Sequence, residues 1–315
     1  MAPLAAGAAG AFGLHNDAAV LPPLSPGERL VVTMDTMIKG RHFLDCPAET
    51  VGRKLLRVNL SDLAAMGAEP LGYLLATSWP LDIEETWIAG FCQGLAADQA
   101  RYGVMLLGGD TTGTTGPMTL SLTAFGRLSG DAVLDRGSVR VGDDFYVTGT
   151  VGDAYLGLRA LRGELDGLAA AARDSLIARY RLPEPRLAVG QALLREGLAA
   201  SALDVSDGLA ADLGHLLEAS GVGADIELAA IPVTAAAREA LRLLAAPLEL
   251  LLSGGDDYEL LFAAVPGKRE AIAQLSARLG LPITRIGAAR SANGLRVRDE
   301  AGREVSLQVT GWTHF

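Results

Sequence analysis

Several apolar segments of this chain are each followed by a short motif that carries an aspartate. The motifs are Asn59-Leu-Ser-Asp62, Gly108-Gly-Asp-Thr-Thr112, Asp204-Val-Ser-Asp-Gly208 and Ser253-Gly-Gly-Asp-Asp-Tyr-Glu-Leu260, and Asn16-Asp17 and Asp35 precede them. In this arrangement, a carboxylate follows each of several buried helices or strands. Carboxylates are hard oxygen ligands of the kind that Mg²⁺ prefers. Metal ions held by such ligands usually bind the phosphates of a nucleotide. The sequence therefore predicts a magnesium-dependent site for phosphate chemistry.

Strands and helices alternate along both halves of the chain. Apolar runs at 71–78 and 144–150 predict strands, and apolar residues at helical spacing over 49–66 and 84–102 predict helices. The segment 129–141 is polar and rich in turn residues, which favours a boundary between domains. We therefore expect an α/β or α+β chain with two domains, at 1–135 and 136–315.

The charge and the cysteine content exclude several classes of protein. The formal net charge is −10 and no basic stripe is present, so a nucleic-acid partner is not expected. Cys46 and Cys92 lie well apart, which fits neither a zinc site nor a disulfide framework and favours a reducing cytoplasm. No apolar run reaches about 18 residues, so no membrane-spanning helix is expected. The N-terminal residues also lack the charged and apolar regions of a signal peptide.

Two common nucleotide-binding motifs are missing from the sequence. It contains neither Gly-x-x-x-x-Gly-Lys-Ser/Thr nor a Gly-x-Gly-x-x-Gly run between a strand and a helix. Lysine occurs only at Lys39, Lys54 and Lys268. Phosphate binding is therefore expected to depend on Mg²⁺, arginine side chains and backbone N–H groups.

The candidate metal ligands share a short carboxylate that suits octahedral Mg²⁺; they are Asp17, Asp35, Asp62, Asp110, Asp204 and Asp207. Taken singly, each aspartate could instead cap a helix or form a turn, as Asp207 could before Gly208. Asp62 lies in an otherwise apolar helix, where a buried unpaired carboxylate would be costly.

Three further features allow two interpretations each. The glycines of Gly108-Gly109-Asp110 could bring the backbone close to a phosphate or form a tight turn. His42 could be a structural residue or a substrate contact, given its place beside the aspartates. Trp312 could belong to the core or stack on a flat cationic ring.

Together the motifs resemble those of the thiamine-monophosphate kinases, in the superfamily that includes aminoimidazole ribonucleotide synthetase and selenophosphate synthetase. The run Asn59-Leu-Ser-Asp-Leu-Ala-Ala-Met-Gly-Ala-Glu-Pro70 is highly specific. The other matching segments are Asn16-Asp-Ala-Ala-Val20, Gly108–Thr112, Tyr146-Val-Thr-Gly-Thr150, Asp204-Val-Ser-Asp-Gly-Leu209, Ser253–Leu260 and the terminal Gly-Trp-Thr-His-Phe. They span nearly the whole chain in the order of the family.

The resemblance implies that ATP phosphorylates thiamine phosphate by direct in-line transfer. It implies a homodimer in which the mixed sheet of the N-terminal domain joins its twin in a barrel, beside a C-terminal α/β domain. Its implied site residues fall into three groups. Mg²⁺ would meet Asp17, Thr33, Met34, Asp35, Asp62, Asp110, Asp204 and Asp207. ATP would meet Tyr102, Gly109, Asp110, Arg136 and Ser206. Thiamine phosphate would lie at His42, Asp256 and Trp312.

Several positions depart from the pattern of the family and leave alternatives open. Asn16 stands where the family usually has an aspartate, Met34 where it has a threonine, Lys39 where it has an acid, and Asp256 where it has a glutamate. The departures at Asn16, Met34 and Lys39 motivate a second hypothesis, a paralogue that binds ATP or thiamine phosphate without turnover. A third hypothesis is another enzyme of the superfamily, such as a purine-pathway cyclo-ligase.

Overall fold

The computed structural model describes residues 2–16, 18–21, 23–307 and Gly311, and the chain divides into two units. The first unit comprises Met1–Leu63 and Ala68–Ala132, and the second comprises Ala64–Gly67 and Val133–Phe315. The sequence placed the domain boundary between residues 135 and 136, and this division falls between residues 132 and 133. Among the described residues, every helix is too short or too polar to span a bilayer.

The first unit has a four-stranded sheet in the order β1-β4-β2-β3. In chain order its elements are β1 (Glu28–Ile38), α1 (Ala48–Ala65), β2 (Glu69–Pro80), α2 (Glu85–Tyr102), β3 (Met105–Thr114) and β4 (Thr119–Ser129). Strand β4 pairs antiparallel with β1 and with β2, whereas β2 and β3 are parallel. The expected helices at 49–66 and 84–102 are thus confirmed as α1 and α2.

The two faces of the first sheet differ in their side chains. Along β1, Leu30, Val32 and Met34 are exposed and alternate with half-buried residues, as the two-residue period of a strand requires. The core of the unit contains buried leucines and aromatic residues of α1, α2 and the strands, among them Leu56, Leu60, Phe91 and Tyr73. Strand β1 lies at one edge of the sheet and exposes an apolar surface.

The second unit has a seven-stranded mixed sheet in the order β11-β10-β7-β9-β5-β8-β6. Its strands are β5 (Asp144–Thr148), β6 (Ser201–Asp204), β7 (Gly223–Glu227), β8 (Leu260–Ala264), β9 (Ile283–Arg290), β10 (Gly294–Arg298) and β11 (Glu304–Val305). Its helices are α3 (Asp153–Leu161), α4 (Ala170–Arg181), α5 (Leu187–Arg195), α6 (Leu209–Ser220), α7 (Ala235–Leu243) and α8 (Arg269–Leu279). Among the described strands of this sheet, β7 and β10 pair in parallel and the other neighbours pair antiparallel.

The sheet of the second unit contributes to two apolar clusters. One contains Val147, Leu203 and Ile226 of the strands together with Leu213 and Leu216 of α6. The other contains strand residues together with residues of α5 and α8. A third cluster joins helices α3, α4 and α7. This mixed α/β architecture confirms the fold class expected from the sequence.

Candidate active site

Strand β1 and helix α1 bring three of the candidate residues of the first unit into a small polar group. The hydroxyl of Thr33 donates to Asp62 Oδ2 over 2.5 Å, and the backbone N–H of Asp35 donates to Asn59 Oδ1 over 3.0 Å. Asn59 is buried and donates its own amide to Leu55 O. Asn59 thereby links the backbone of Asp35, on the edge strand β1, to helix α1. Asp62 avoids the free-energy cost of a buried, unpaired carboxylate, because it is half-buried and accepts the hydrogen bond from Thr33.

The segment Gly108–Thr112 lies within strand β3 and does not form a tight turn, which was one of the two interpretations of its glycines. Its residues pair in register with β2, as Leu75 with Gly109 and Ala76 with Asp110. A Cβ atom at residue 109 would lie 1.8 Å from Leu75 O, so this glycine is required for the packing of the two strands. Asp110 is exposed and accepts the backbone N–H of Thr111. The strand pairing therefore presents Asp110 at the edge of the sheet, beside β2.

A cavity of about 730 Å³ in the first unit gathers another part of the candidate set. Met34, Gly109 and Asp110 line it together with Asn16, whereas Thr33, Asp35 and Asp62 are not among its lining residues. Met34 and Asp35 alternate along β1 and therefore point to opposite sides of the sheet. The structure thus divides the candidate residues of the first unit between two sides of one sheet.

His42 and Tyr102 are held by local contacts at the ends of elements. The backbone N–H of Ile38 donates to His42 Nδ1 over 3.0 Å, so the neutral ring carries its proton on Nε2. Tyr102 is the last residue of α2, which ends at Gly103 in the left-handed conformation. Arg57 lies 5.7 Å from the centre of the Tyr102 ring, and its guanidinium binds the buried Asp98. The Arg57–Asp98 pair links α1 to α2 and helps to orient Tyr102.

In the second unit, strand β6 ends at Asp204, and the turn that follows it carries Ser206 and Asp207. The backbone N–H groups of Ser206, Asp207 and Gly208 all donate to Asp212 Oδ2, over 3.0, 3.1 and 3.1 Å. Asp212 lies in the first turn of α6 and is buried. Asp207 is not a helix cap, because the N-cap residue of α6 is Gly208 and no side chain caps the helix there.

The loop before β8 packs directly on this turn. Asp256 N–H donates to Ser206 O and Tyr258 N–H donates to Val205 O, each over 2.8 Å. A Cβ atom at residue 255 would lie 2.2 Å from Ser206 O, so only glycine allows this approach. Asp256 and Tyr258 have φ of 72° and 52°, a strained conformation for residues with a side chain. The fold therefore holds Asp256 beside the turn of Ser206 and Asp207 at some conformational cost.

Two buried acidic residues, Asp257 and Glu259, anchor the loop that contains the strained Asp256 and Tyr258. Glu259 is inaccessible to solvent and binds Thr148, Arg179 and Arg186, with Thr148 Oγ1 and Arg179 Nη2 each 2.7 Å from its oxygens. Asp257 accepts the backbone N–H groups of Gly152 and Ala154 at the start of α3. Burial raises the pKa of Asp257 to about 8, although these hydrogen bonds oppose the shift. Two buried carboxyl groups thus fix the chain directly after Asp256.

The pKa of Asp212 is also raised, to about 7, chiefly by burial and then by the charge of Asp207. The three N–H donors lower it only in part. Ligand atoms of Asp207, Asp212 and His215 lie within 4.8 Å of one another, a spacing that suits a divalent cation. The hard oxygen donors near Asp207 and the Thr33–Asp62 pair both fit the chemistry of Mg²⁺.

The remaining candidates differ in how much the structure says of them. Arg136 is exposed, and its carbonyl accepts the hydroxyls of Ser201 and Ser220. Asp17 and Trp312 lie outside the described residues. Gly311, the neighbour of Trp312, lies against Asp207 and Ala211.

The sequence reasoning did not single out Asp212 or the two arginines that bind Glu259. Asp212 had a signal, because it lies four residues after Gly208 in the first turn of a helix that follows the Asp204–Gly208 motif. The arginines had none, since Arg179 and Arg186 both lie more than 70 residues from Glu259 in the sequence.

Comparison with known proteins gives a consistent result over the whole chain. Residues 15–128 match the N-terminal domain of AIR synthase related proteins, and residues 140–300 match their C-terminal domain. A thiamine-monophosphate kinase of Caulobacter vibrioides is 41% identical over 317 aligned positions, which cover 99% of this chain and 88% of that protein.

Two solved structures have the same fold. The thiamine-monophosphate kinase of Stenotrophomonas maltophilia K279a is 41% identical, with a TM-score of 0.83 over 93% of this chain and 91% of that chain. AaThiL complexed with AMPPCP and TMP is 28% identical, with a TM-score of 0.82 over 97% of both chains.

Proposed function

Because this chain belongs to the thiamine-monophosphate kinases among the AIR synthase related proteins, we propose that it transfers a phosphoryl group from ATP to thiamine phosphate. The products are thiamine diphosphate and ADP. The observation that carries this function is an identity of about 40% to thiamine-monophosphate kinases over nearly their full length. The likeness to AaThiL bound to AMPPCP and TMP supports both substrates.

Direct in-line transfer requires positioning and charge neutralisation more than a protein nucleophile. We assign the metal-binding role to the residues proposed from the sequence: Asp17, Thr33, Met34, Asp35, Asp62, Asp110, Asp204 and Asp207. The hydrogen bond from Thr33 orients the Asp62 carboxylate. Bound Mg²⁺ would supply positive charge that neutralises the phosphates during the transfer.

We also assign the substrate contacts to the residues proposed from the sequence. Tyr102, Gly109, Asp110, Arg136 and Ser206 are assigned to ATP, and His42, Asp256 and Trp312 to thiamine phosphate. His42 accepts a backbone N–H at Nδ1, so its Nε2–H is the side that donates to a phosphate oxygen. Asp256 offers a carboxylate to the cationic thiamine ring from a loop that is held rigid by backbone hydrogen bonds.

The assembly and location extend this proposal. The exposed Leu30, Val32 and Met34 on the edge strand β1 support a homodimer in which the first sheet meets its twin. Cys46 and Cys92 are not joined in a disulfide, which supports a cytoplasmic location. The acidic charge supports neither a nucleic-acid nor an anionic membrane partner.

The direct test is formation of thiamine diphosphate from ATP and thiamine phosphate, with the thiamine species separated chromatographically. We expect product with Mg²⁺ and none when the metal is removed by a chelator. ATP binding without product would instead indicate a paralogue that binds its ligands without turnover. Formation of aminoimidazole ribonucleotide in a parallel assay would indicate a cyclo-ligase.

A further inference from the structure

Asp212 is a buried carboxylate whose contacts serve the turn before its own helix. Asp212 is only 3% exposed, and its Oδ2 accepts the backbone N–H groups of three consecutive residues. A charged carboxylate near a helix N-terminus is favourable, and donors from three consecutive residues fix the path of the backbone between them. Asp212 therefore determines the shape of the turn Ser206–Gly208.

That turn carries the two candidate residues that the second unit contributes between β6 and α6, Ser206 and Asp207. The backbone N–H groups of Ser206 and Asp207 donate to Asp212. Asp212 therefore fixes the backbone from which the side chains of Ser206 and Asp207 project. The carbonyl of Ser206 in turn accepts Asp256 N–H, so the position of the strained loop depends on the same turn. One potential ligand atom each of Asp207, Asp212 and His215 lies within 4.8 Å of the other two. The anchoring carboxylate is thus adjacent to a proposed cation ligand.

We infer that Asp212 is a positioning residue for metal and nucleotide binding: it shapes the Ser206–Gly208 turn so that Asp207 and Ser206 meet the cation and the phosphates. The inference rests on the proposed function for the identity of the nucleotide, while its effect on cation binding is independent of the reaction. Carboxylates that orient metal ligands through a hydrogen-bonded network usually matter almost as much as the ligands themselves.

The test compares three variants, Asp212→Leu, Asp212→Asn and Asp299→Ala. Leucine has a similar shape but no acceptor, whereas asparagine retains one oxygen for the turn. Asp299 is the matched control, because it accepts the N–H groups of Ala301 and Arg303 in a turn between β10 and β11. The measurements are the Mn²⁺ dissociation constant by electron paramagnetic resonance, the Mg²⁺ concentration for half-maximal product formation, and the unfolding midpoint.

We expect Asp212→Leu to raise both metal constants by about 10- to 100-fold. Asp212→Asn should recover most of this loss, and Asp299→Ala should leave both constants unchanged. A lower unfolding midpoint with unchanged metal constants would overturn the inference, because a purely structural helix cap predicts that result.

Two further outcomes remain decisive. If Asp212→Leu does not fold, Asp212→Glu replaces it, since glutamate keeps the charge but displaces the oxygen by one methylene. Unchanged Mn²⁺ affinity in Asp212→Glu would then overturn the inference, and weaker affinity would support it. If the wild-type protein forms no thiamine diphosphate, the proposed function fails, yet an Asp212-dependent Mn²⁺ affinity would still support the positioning role.

Discussion

At the scale of single residues, the Thr33–Asp62 hydrogen bond explains how a carboxylate is accommodated in the apolar helix α1. The hydroxyl of Thr33 satisfies one oxygen, and the side chain of Asp62 remains half-buried and not fully enclosed. A carboxylate in such a place retains a strong preference for a cation, because its surroundings offer less solvation than water.

We expect Asp62→Asn to lower turnover by at least about 100-fold, because it removes negative charge where the cation is bound while keeping an oxygen acceptor for Thr33. The unfolding midpoint should change little. Steady-state kinetics and thermal unfolding check both expectations, and the exposed Asp82→Asn serves as the control. Turnover close to the wild-type value in Asp62→Asn would contradict a metal-binding role.

The sequence predicted which carboxylates belong to the candidate site better than it predicted how the backbone holds them. The motifs at Asp62, Asp204 and Asp256 predicted carboxylates that the structure indeed places at element ends and in a tight loop. The glycines at 108 and 109 suggested a turn, yet they lie in a strand, because the contact that requires Gly109 comes from the neighbouring strand β2. A long-range contact of this kind leaves no local signal in the sequence.

At the scale of elements, the start of helix α3 depends on a carboxylate from another part of the chain. Asp257 accepts the N–H groups of Gly152 and Ala154, whose donors would otherwise be unsatisfied at the helix N-terminus. This carboxylate lies more than 100 residues further along the chain, so the local sequence does not indicate the contact. Likewise α4 and β9 escaped prediction, because their burial depends on neighbours that are distant in sequence.

The raised pKa of Asp257 predicts how the stability of the protein depends on pH. Its pKa rises from an ordinary value of 3.8 to about 8 in the folded chain, so the folded state binds more protons between these values. The contribution of Asp257 to the free energy of unfolding is therefore complete below about pH 4 and is lost as the pH rises to about 8.

The variant Asp257→Asn has no carboxyl group to titrate at this position. The unfolding midpoints of the variant and of the wild-type protein are measured from pH 5 to 8.5. The amide cannot match both N–H donors, so the variant should be less stable at pH 5. Its midpoint should then approach or exceed the wild-type midpoint as the pH rises. Two curves that stay parallel over this range would show that Asp257 does not titrate as proposed.

At the scale of the whole molecule, the fold class was predictable because alternating apolar patterns and turn residues recur over more than 300 residues. The outer face of β1 was not evident, because an apolar run such as the one with Leu30, Val32 and Met34 does not show which side chains face solvent. In the structure these side chains are 45%, 53% and 63% exposed. A contiguous apolar face on an edge strand is a surface that a second chain can cover.

The proposed homodimer is tested by placing a charge on this face. Val32→Glu should convert the dimer to a monomer, because a carboxylate at a sheet-to-sheet contact would be desolvated without a partner. Leu81→Glu is the control, since Leu81 is 77% exposed but lies outside the strands. Sedimentation velocity at equal protein concentrations gives the mass of each species, and circular dichroism confirms that the variants are folded. A monomeric wild-type protein, or a Val32→Glu variant that remains dimeric, would contradict an interface on β1.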